Sequence, residues 1–247
     1  MGKMLINQRR GKGSPAFRTP GHRFLCNVEY PPLPSEAMRA QVIGFALDPA
    51  HSTPLMLLRA EDGREIYLIA PEGIAINDEV ELGVNAAAKI GSVSSLGALP
   101  DGTPIFNLEL KPRDGGKALR ATGSGGTLIS HDEETGRVTI KMSTSSKRVL
   151  VLSPECRATV GVAAGGGRLD KPFKKAGSKR KMMEARNKYY PIVRGTAMNA
   201  NEHPHGGKSF GKSSTRARGT PPGKKVGHIA ARQTGRKKRR ERAVGEQ

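Results

Sequence analysis

The 247-residue chain has no tryptophan, only two cysteines and only ten phenylalanines and tyrosines together. So few rings leave little material for base-stacking platforms, so any recognition of nucleic acid must lean on phosphates and shape. Cys26 and Cys156 stand far apart and outside any CxxC spacing. Neither a disulfide framework nor a zinc knuckle is expected, and the pattern fits a reducing, cytoplasmic setting. A run of about 18 apolar residues that would span a bilayer is missing, and the basic end lacks the apolar face of an interfacial helix. No membrane partner is expected. The opening MGKMLINQRRGKG carries no apolar h-region, so no secretory leader is expected, and Ile6 stands where a myristoylation motif needs Ser or Thr.

What the chain has is positive charge, with a formal net of +20. Residues 1–35 carry 6 Lys and Arg against 1 acid, residues 36–167 carry 13 against 16, and residues 168–247 carry 23 against 5. A mildly acidic middle between basic ends is the layout of a folded body that carries arms into a polyanion. Nucleic acid fits that role, because binding through many phosphates needs dense Lys and Arg and little else.

The amino-terminal arm mixes Arg9, Arg10, Lys12, Arg18 and Arg23 with Gly and Pro and ends near the PPLP of Pro31 to Pro34. Its rings, Phe17, Phe24 and Tyr30, either pack on the body or stack on bases, and apolar burial favours packing. From Ala40 the pattern turns to short apolar strands bounded by turn signals: AQVIGFAL, PLMLLRA, REIYLIA and DEVELGV, with Glu61-Asp62-Gly63 closing a hairpin. That spacing predicts a small closed or nearly closed barrel. A second β unit follows Ala88, with strands expected near Lys89–Val93, Thr103–Leu110, Leu119–Thr122, Gly126–His131, Arg137–Lys141, Lys147–Leu152 and Ala158–Val162. The acidic turn Asp132 to Gly136 is a hairpin signal. Gly123 to Gly126 (GSGG) reads as a plain turn, since no GK[ST] closes it and no helical pattern follows.

Past Val162 the apolar residues thin out: from Arg168 on, only eight of 80 residues are Leu, Ile, Val or Phe. A segment of that composition cannot bury a core of its own. One helix is expected over Lys179–Lys188, capped by Ser178 and ended before Pro191, with an extended, glycine-punctuated chain beyond it that reaches the basic run Arg236–Arg242.

Within this arm lies GTAMNANEHPHGG, Gly195 to Gly207, preceded by Arg194. His203 and His205 invite a metal reading, yet no cysteine is near and Glu202 is the only close acid, short of the four ligands of a structural zinc site. No serine or cysteine sits in a nucleophile elbow. The proline between the histidines fixes chain direction and the glycines permit close approach of another backbone, which suits a rigid turn pressed against RNA. Two other classes stay in view. A DNA-binding or chromatin protein would need a recognition helix, which is not apparent, and a metal- or histidine-dependent catalyst would need bound metal or turnover that depends on His203.

GTAMNANEHPHGG, with CRATVGVAAGGGRLDKPFKKAG from Cys156 and QRRGKGSPAFRTPGHR from Gln8, resembles the universal large-subunit ribosomal protein family L-two in its archaeal and eukaryotic form. The resemblance covers essentially the whole chain. It implies a mainly β fold: an OB-like barrel (36–87) followed by an SH3-like barrel (88–167), between basic irregular extensions at residues 1–35 and 168–247. It implies a structural constituent of the large ribosomal subunit that binds ribosomal RNA and neighbouring ribosomal proteins. It also implies contact with the small subunit through an intersubunit bridge, and support of tRNA placement and of the architecture around the peptidyl transferase centre. A histidine of the family's HPHGG motif has been proposed to assist peptide bond formation and would fall on His203. RNA itself forms that centre, so His203 is expected to organise RNA, and no catalytic residue, metal or cofactor is expected. Lys208 stands where many family members have a third glycine. The expected RNA contacts are Arg9, Arg10, Arg18, Arg23, Arg168, Lys171, Lys174, Lys175, Arg194, His203, His205, Lys224 and Lys225.

Overall fold

In the sequence LMLLRA, apolar side chains at Leu55, Met56 and Leu58 and the small Ala60 all go fully inside, while Arg59 points to solvent. Short, largely apolar runs of this kind build four strands, β1 (Met38–Ala46), β2 (Leu55–Ala60), β3 (Glu65–Ile69) and β4 (Glu79–Leu82). β1 pairs antiparallel with β2 and β4, and β2 pairs antiparallel with β3 through the turn at Gly63, whose φ is +81°. Asp62 accepts the backbone N–H of Arg64 at 3.0 Å and closes that turn from within.

Six further strands follow: β5 (Val93–Ser95), β6 (Pro104–Phe106), β7 (Gly126–Asp132), β8 (Arg137–Met142), β9 (Val149–Leu152) and β10 (Arg157–Val160). All ten form one sheet in the order β3-β2-β1-β4-β5-β10-β6-β7-β8-β9. A single parallel pair, Leu82 with Val93, joins its two halves. The computed structural model describes residues 2–32, 37–132, 134–143, 149–208 and 214–232. Leu33, Pro34, Glu133, the first residues of the strand expected from Lys147, and the run Arg236–Arg242 lie outside them.

Two buried clusters fill the sheet. One gathers Val42, Met56, Leu58, Leu68, Val80 and Leu82, the other Leu55, Ile105, Phe106, Leu128, Val138 and Ile140. β2 serves both, since Leu55 belongs to the second cluster and its neighbour Met56 to the first. The mainly β class expected from the sequence is the class observed.

Four expected segments differ. The strand expected over Lys89–Val93 begins only at Val93, because Gly91, at φ +89°, turns the chain just before it. Leu119–Thr122 forms no strand: Leu119 has φ +55° and turns the chain after an isolated bridge between Leu108 and Ala118. The strand expected over Thr103–Leu110 shortens to β6 because Asn107 takes φ +48°, off the extended region. The helix α2, the second after α1 (Ile6–Gly11), spans Ala176–Ala185, so Ser178 lies inside it and does not cap it. It stops where Asn187, at φ +49°, lets the Lys188 N–H bond back to Met183 O at 2.9 Å.

The chain divides into two compact units, one of residues 21–176 and one of residues 1–20 with 177–247. The second has almost no buried apolar side chain among its described residues, Leu5 being its one core-grade member. It is tied mainly by polar contacts. Asn187 Nδ2 donates to the carbonyls of Arg18 at 3.0 Å and Pro15 at 3.4 Å, and the Lys3 N–H donates to Asn201 O at 2.6 Å. Two short strands, β11 (Thr215–Arg216) and β12 (His228–Ile229), pair in parallel within it.

Candidate nucleic-acid interface

Dividing the charge by these units sharpens what the sequence implied. The unit of residues 1–20 and 177–247 carries 24 Lys and Arg against 4 acids, whereas residues 21–176 carry 18 against 18. The whole formal excess of +20 therefore belongs to one unit, the one whose described residues bury almost no apolar side chain.

Eight of the expected contacts lie in that unit (Arg9, Arg10, Arg18, Arg194, His203, His205, Lys224, Lys225), and five lie in the other (Arg23, Arg168, Lys171, Lys174, Lys175). Of the eleven cations, ten are exposed and Lys225 is half-buried. Among the described residues none of the eleven is held in an ion pair, although surface pairs such as Arg59–Glu65 and Lys181–Glu184 exist elsewhere. A cation with no internal partner has its charge available to an outside anion. Arg168 is the most positioned: it lies on the single turn Gly166–Asp170, and its Nε donates to Thr122 Oγ1 at 3.4 Å. That turn presses on the GSGG segment, where a β-carbon on Gly123 would come within 2.6 Å of Gly166 Cα. Gly123 therefore serves a close crossing of two backbones.

The HPHGG segment folds as a tight knot of its own. A short turn at Gly195–Ala197 leads into it, the His203 and Glu202 N–H groups both donate to Asn199 O, Gly206 N–H donates to His203 O at 2.9 Å, and Gly207 N–H returns to Met198 O at 3.1 Å. The His203 ring lies on Gly195, where a β-carbon would come within 2.2 Å of Cε1. The His205 N–H donates to His203 Nδ1 at 3.0 Å. A donor facing Nδ1 requires a bare lone pair there, so the neutral imidazole carries its proton on Nε2. Burial, with a smaller push from His205, lowers the His203 pKa below its ordinary 6.5. The two rings stand 5.0 Å apart and tilted by 59°. Such a site presents an uncharged N–H donor, suited to a phosphate or a base edge.

The sequence did not reveal the clamp on this knot. Lys3 Nζ reaches Glu202 Oε1 at 3.0 Å, and that hydrogen bond, with the ammonium's charge, holds the Glu202 carboxyl below its usual range. The partners are 199 residues apart. No local pattern signals such a pair. Nor did it reveal how residues before β1 are anchored. Tyr30 is buried, and its hydroxyl bonds Asn107 O at 2.7 Å and Thr159 Oγ1 at 2.6 Å. Arg157 packs over its ring, pairs with the fully buried Glu109 and donates to Pro31 O at 2.7 Å. Of the arm's three rings, then, Tyr30 packs fully, and Phe17 and Phe24 are half-buried. Burial pushes the Cys156 thiol up to about 11 and raises that of Cys26, so neither is poised as a nucleophile.

Among the described residues no group of three or more His, Cys, Asp or Glu side chains is placed to hold a metal ion, and no helix is long and apolar enough to cross a membrane. Residues 89–224 match the family model of the C-terminal domain of ribosomal proteins L2. The chain is 45% identical over 247 residues to large ribosomal subunit protein uL2 of Methanopyrus kandleri, covering 97% of this chain and 100% of that protein. It is 44% identical over 245 residues to the protein of that name from Methanothermobacter thermautotrophicus (96% and 100% covered), and 43% over 240 residues to that from Natronomonas pharaonis (96% and 97%).

Proposed function

The chain belongs to the uL2 family of large ribosomal subunit proteins, and we propose that it acts there as a structural, non-enzymatic constituent whose basic unit neutralises ribosomal RNA phosphates. The observation that carries this is the segregation of charge, with the excess of +20 on one core-poor unit and a β body of balanced charge beside it in sequence. Phosphate contacts position RNA segments and allow strands from different helices to approach, while the body fixes where the arms leave it. The eleven cations among the expected contacts are assigned to that task, six in the basic unit and five (Arg23, Arg168, Lys171, Lys174 and Lys175) in the other, with His203 and His205 as contacts made by the knot. Arg168 and the His203 knot are the two whose side chains are already positioned, which suits specific rather than diffuse contact.

Within this reading, the two buried clusters of the sheet correspond to an OB-like barrel and an SH3-like barrel. Residues 1–35 and 168–247 are the extensions that enter RNA. The protein works in the cytoplasmic ribosome with neighbouring ribosomal proteins, takes part in a bridge to the small subunit, and supports tRNA placement and the architecture around the peptidyl transferase centre. His203 organises RNA there through its Nε2–H. Its lowered pKa and its bonded Nδ1 argue against a proton-shuttling role.

The test is a salt titration of binding to large-subunit RNA by the full chain and by a chain lacking residues 168–247. The full chain should lose affinity along a line of log K against log salt, with a slope of about −0.7 to −0.9 for each phosphate contacted. The deletion should remove most of the affinity and slope while the β body stays folded by circular dichroism. Affinity retained after the deletion would sink this account.

A further inference from the structure

The basic unit contains four aromatic residues, and its three described ones converge on one place. Phe17, Tyr189 and Tyr190 line two adjoining cavities of about 280 and 430 Å³. Arg180 lines the first, Arg10 the second and Lys188 both, while the one carboxylate of the lining, Glu184, is paired with Lys181 at 3.3 Å. The wall is braced. Asn187 holds the Pro15–Arg18 turn through two carbonyls, and Lys179 Nζ sits 5.4 Å from the centre of the Tyr190 ring. Tyr189 stays 45% exposed and the adjoining Ile192 76% exposed, so the groove opens to solvent.

A concave site that combines rings with cations matches the two faces of one nucleotide, an apolar π surface and a phosphate. Paired bases offer no such surface, because their faces are covered by the stack. We propose that this groove is a stacking subsite for a single unpaired nucleotide of RNA, its base against Tyr189 and Phe17 and its phosphate toward Arg10, Arg180 and Lys188. The proposal rests on the RNA-binding reading above and adds base stacking to a protein whose scarcity of rings argues against it elsewhere.

The experiment uses the full chain and two short hairpin RNAs of equal length. One carries a single bulged 2-aminopurine, and the other holds 2-aminopurine within the paired stem. The bulged hairpin should bind about 5- to 150-fold more tightly, the range one base-on-ring stack supplies, with its fluorescence quenched on binding. Tyr189→Ala should bring that preference close to one without altering the salt slope, and Tyr189→Phe should restore it. Arg10→Ala should weaken both hairpins and flatten the slope. No preference and no quenching in the unaltered chain, or a preference that survives both Tyr189→Ala and Phe17→Ala, would overturn the subsite. Equal salt-dependent binding of the two hairpins overturns the subsite alone, whereas absence of salt-dependent binding to either also removes the RNA-binding reading beneath it.

Discussion

At Gly206 a β-carbon would stand 2.2 Å from Asn199 O and 2.6 Å from Met198 O, backbone atoms that the turn itself fixes. Gly206→Ala should therefore force the HPHGG knot apart at a local cost of about 1–3 kcal/mol or more. Amide exchange should speed up at Gly206 and Gly207, with the β body unaffected. Gly195 is constrained differently, because the atoms in its way belong to the His203 ring. That ring is free to rotate aside only by surrendering the bond its Nδ1 accepts from the His205 N–H. The same bond makes the knot sensitive to pH. Since folding lowers the His203 pKa below 6.5, the unfolded turn takes up a proton first as pH falls. Stability from this group is thus complete above about pH 6.5 and is lost as pH drops toward the depressed value in the folded state. Protonating Nδ1 removes the acceptor, so the protection factor of the His205 amide should fall on acidification below pH 6.5, and in His203→Ala it should be low at every pH. The motif itself was plain in the sequence as two histidines, a proline and two glycines. Its supports were not, because Gly195 and Lys3 contribute through space what no local spacing encodes.

The strands were legible where a short apolar run was bounded by turn signals, as in β2, where apolar and polar residues alternated, as in β8, and at turns with a chemical signature such as Asp62-Gly63. They were lost where a single residue in a left-handed conformation overrode an apolar run, as Asn107 and Leu119 do. Periodicity carries no information about such residues, since their side chains are as buried as a strand's would be. Equally hidden was the element that ends the amino-terminal arm. Val28 and Tyr30 join the two cores, and the chain there is held by Arg157, whose guanidinium lies between the Tyr30 ring, Pro31 O and Glu109. Glu109 also accepts the N–H groups of Gly115 at 2.9 Å and Arg157 at 2.9 Å, so one buried carboxylate organises the 109–118 loop and the arm together. Glu109→Gln leaves the Arg157 charge largely buried without its counter-charge. It should destabilise the body by about 3–5 kcal/mol in urea titrations. Replacing the exposed Lys171, which has no such network, should change stability by less than about 0.5 kcal/mol.

For the molecule as a whole, the two units meet different requirements for folding. Residues 21–176 have balanced charge and two apolar clusters, enough to hold a sheet in water without help. The other unit carries 24 Lys and Arg in its sequence, and its described residues bury little apolar surface to offset the repulsion among them. Its hydrogen-bonded turns supply a shape, but counter-charge must supply much of the stability, and RNA phosphates are the counter-charge this family's setting provides. Binding that favours the folded form stabilises it in proportion to RT ln(1 + [L]/Kd), so the effect of RNA should fall on one unit and spare the other. Hydrogen exchange on the full chain at low ionic strength should then find amides of β7 and β8 protected with or without RNA. Amides of the knot and of β12, such as Gly206 and His228, should be weakly protected in the free chain and gain much of their protection when large-subunit RNA is added. Equal protection of both units in the free chain would mean that the basic unit folds on its own contacts, and that charge neutralisation is a consequence of RNA binding rather than the force that shapes it.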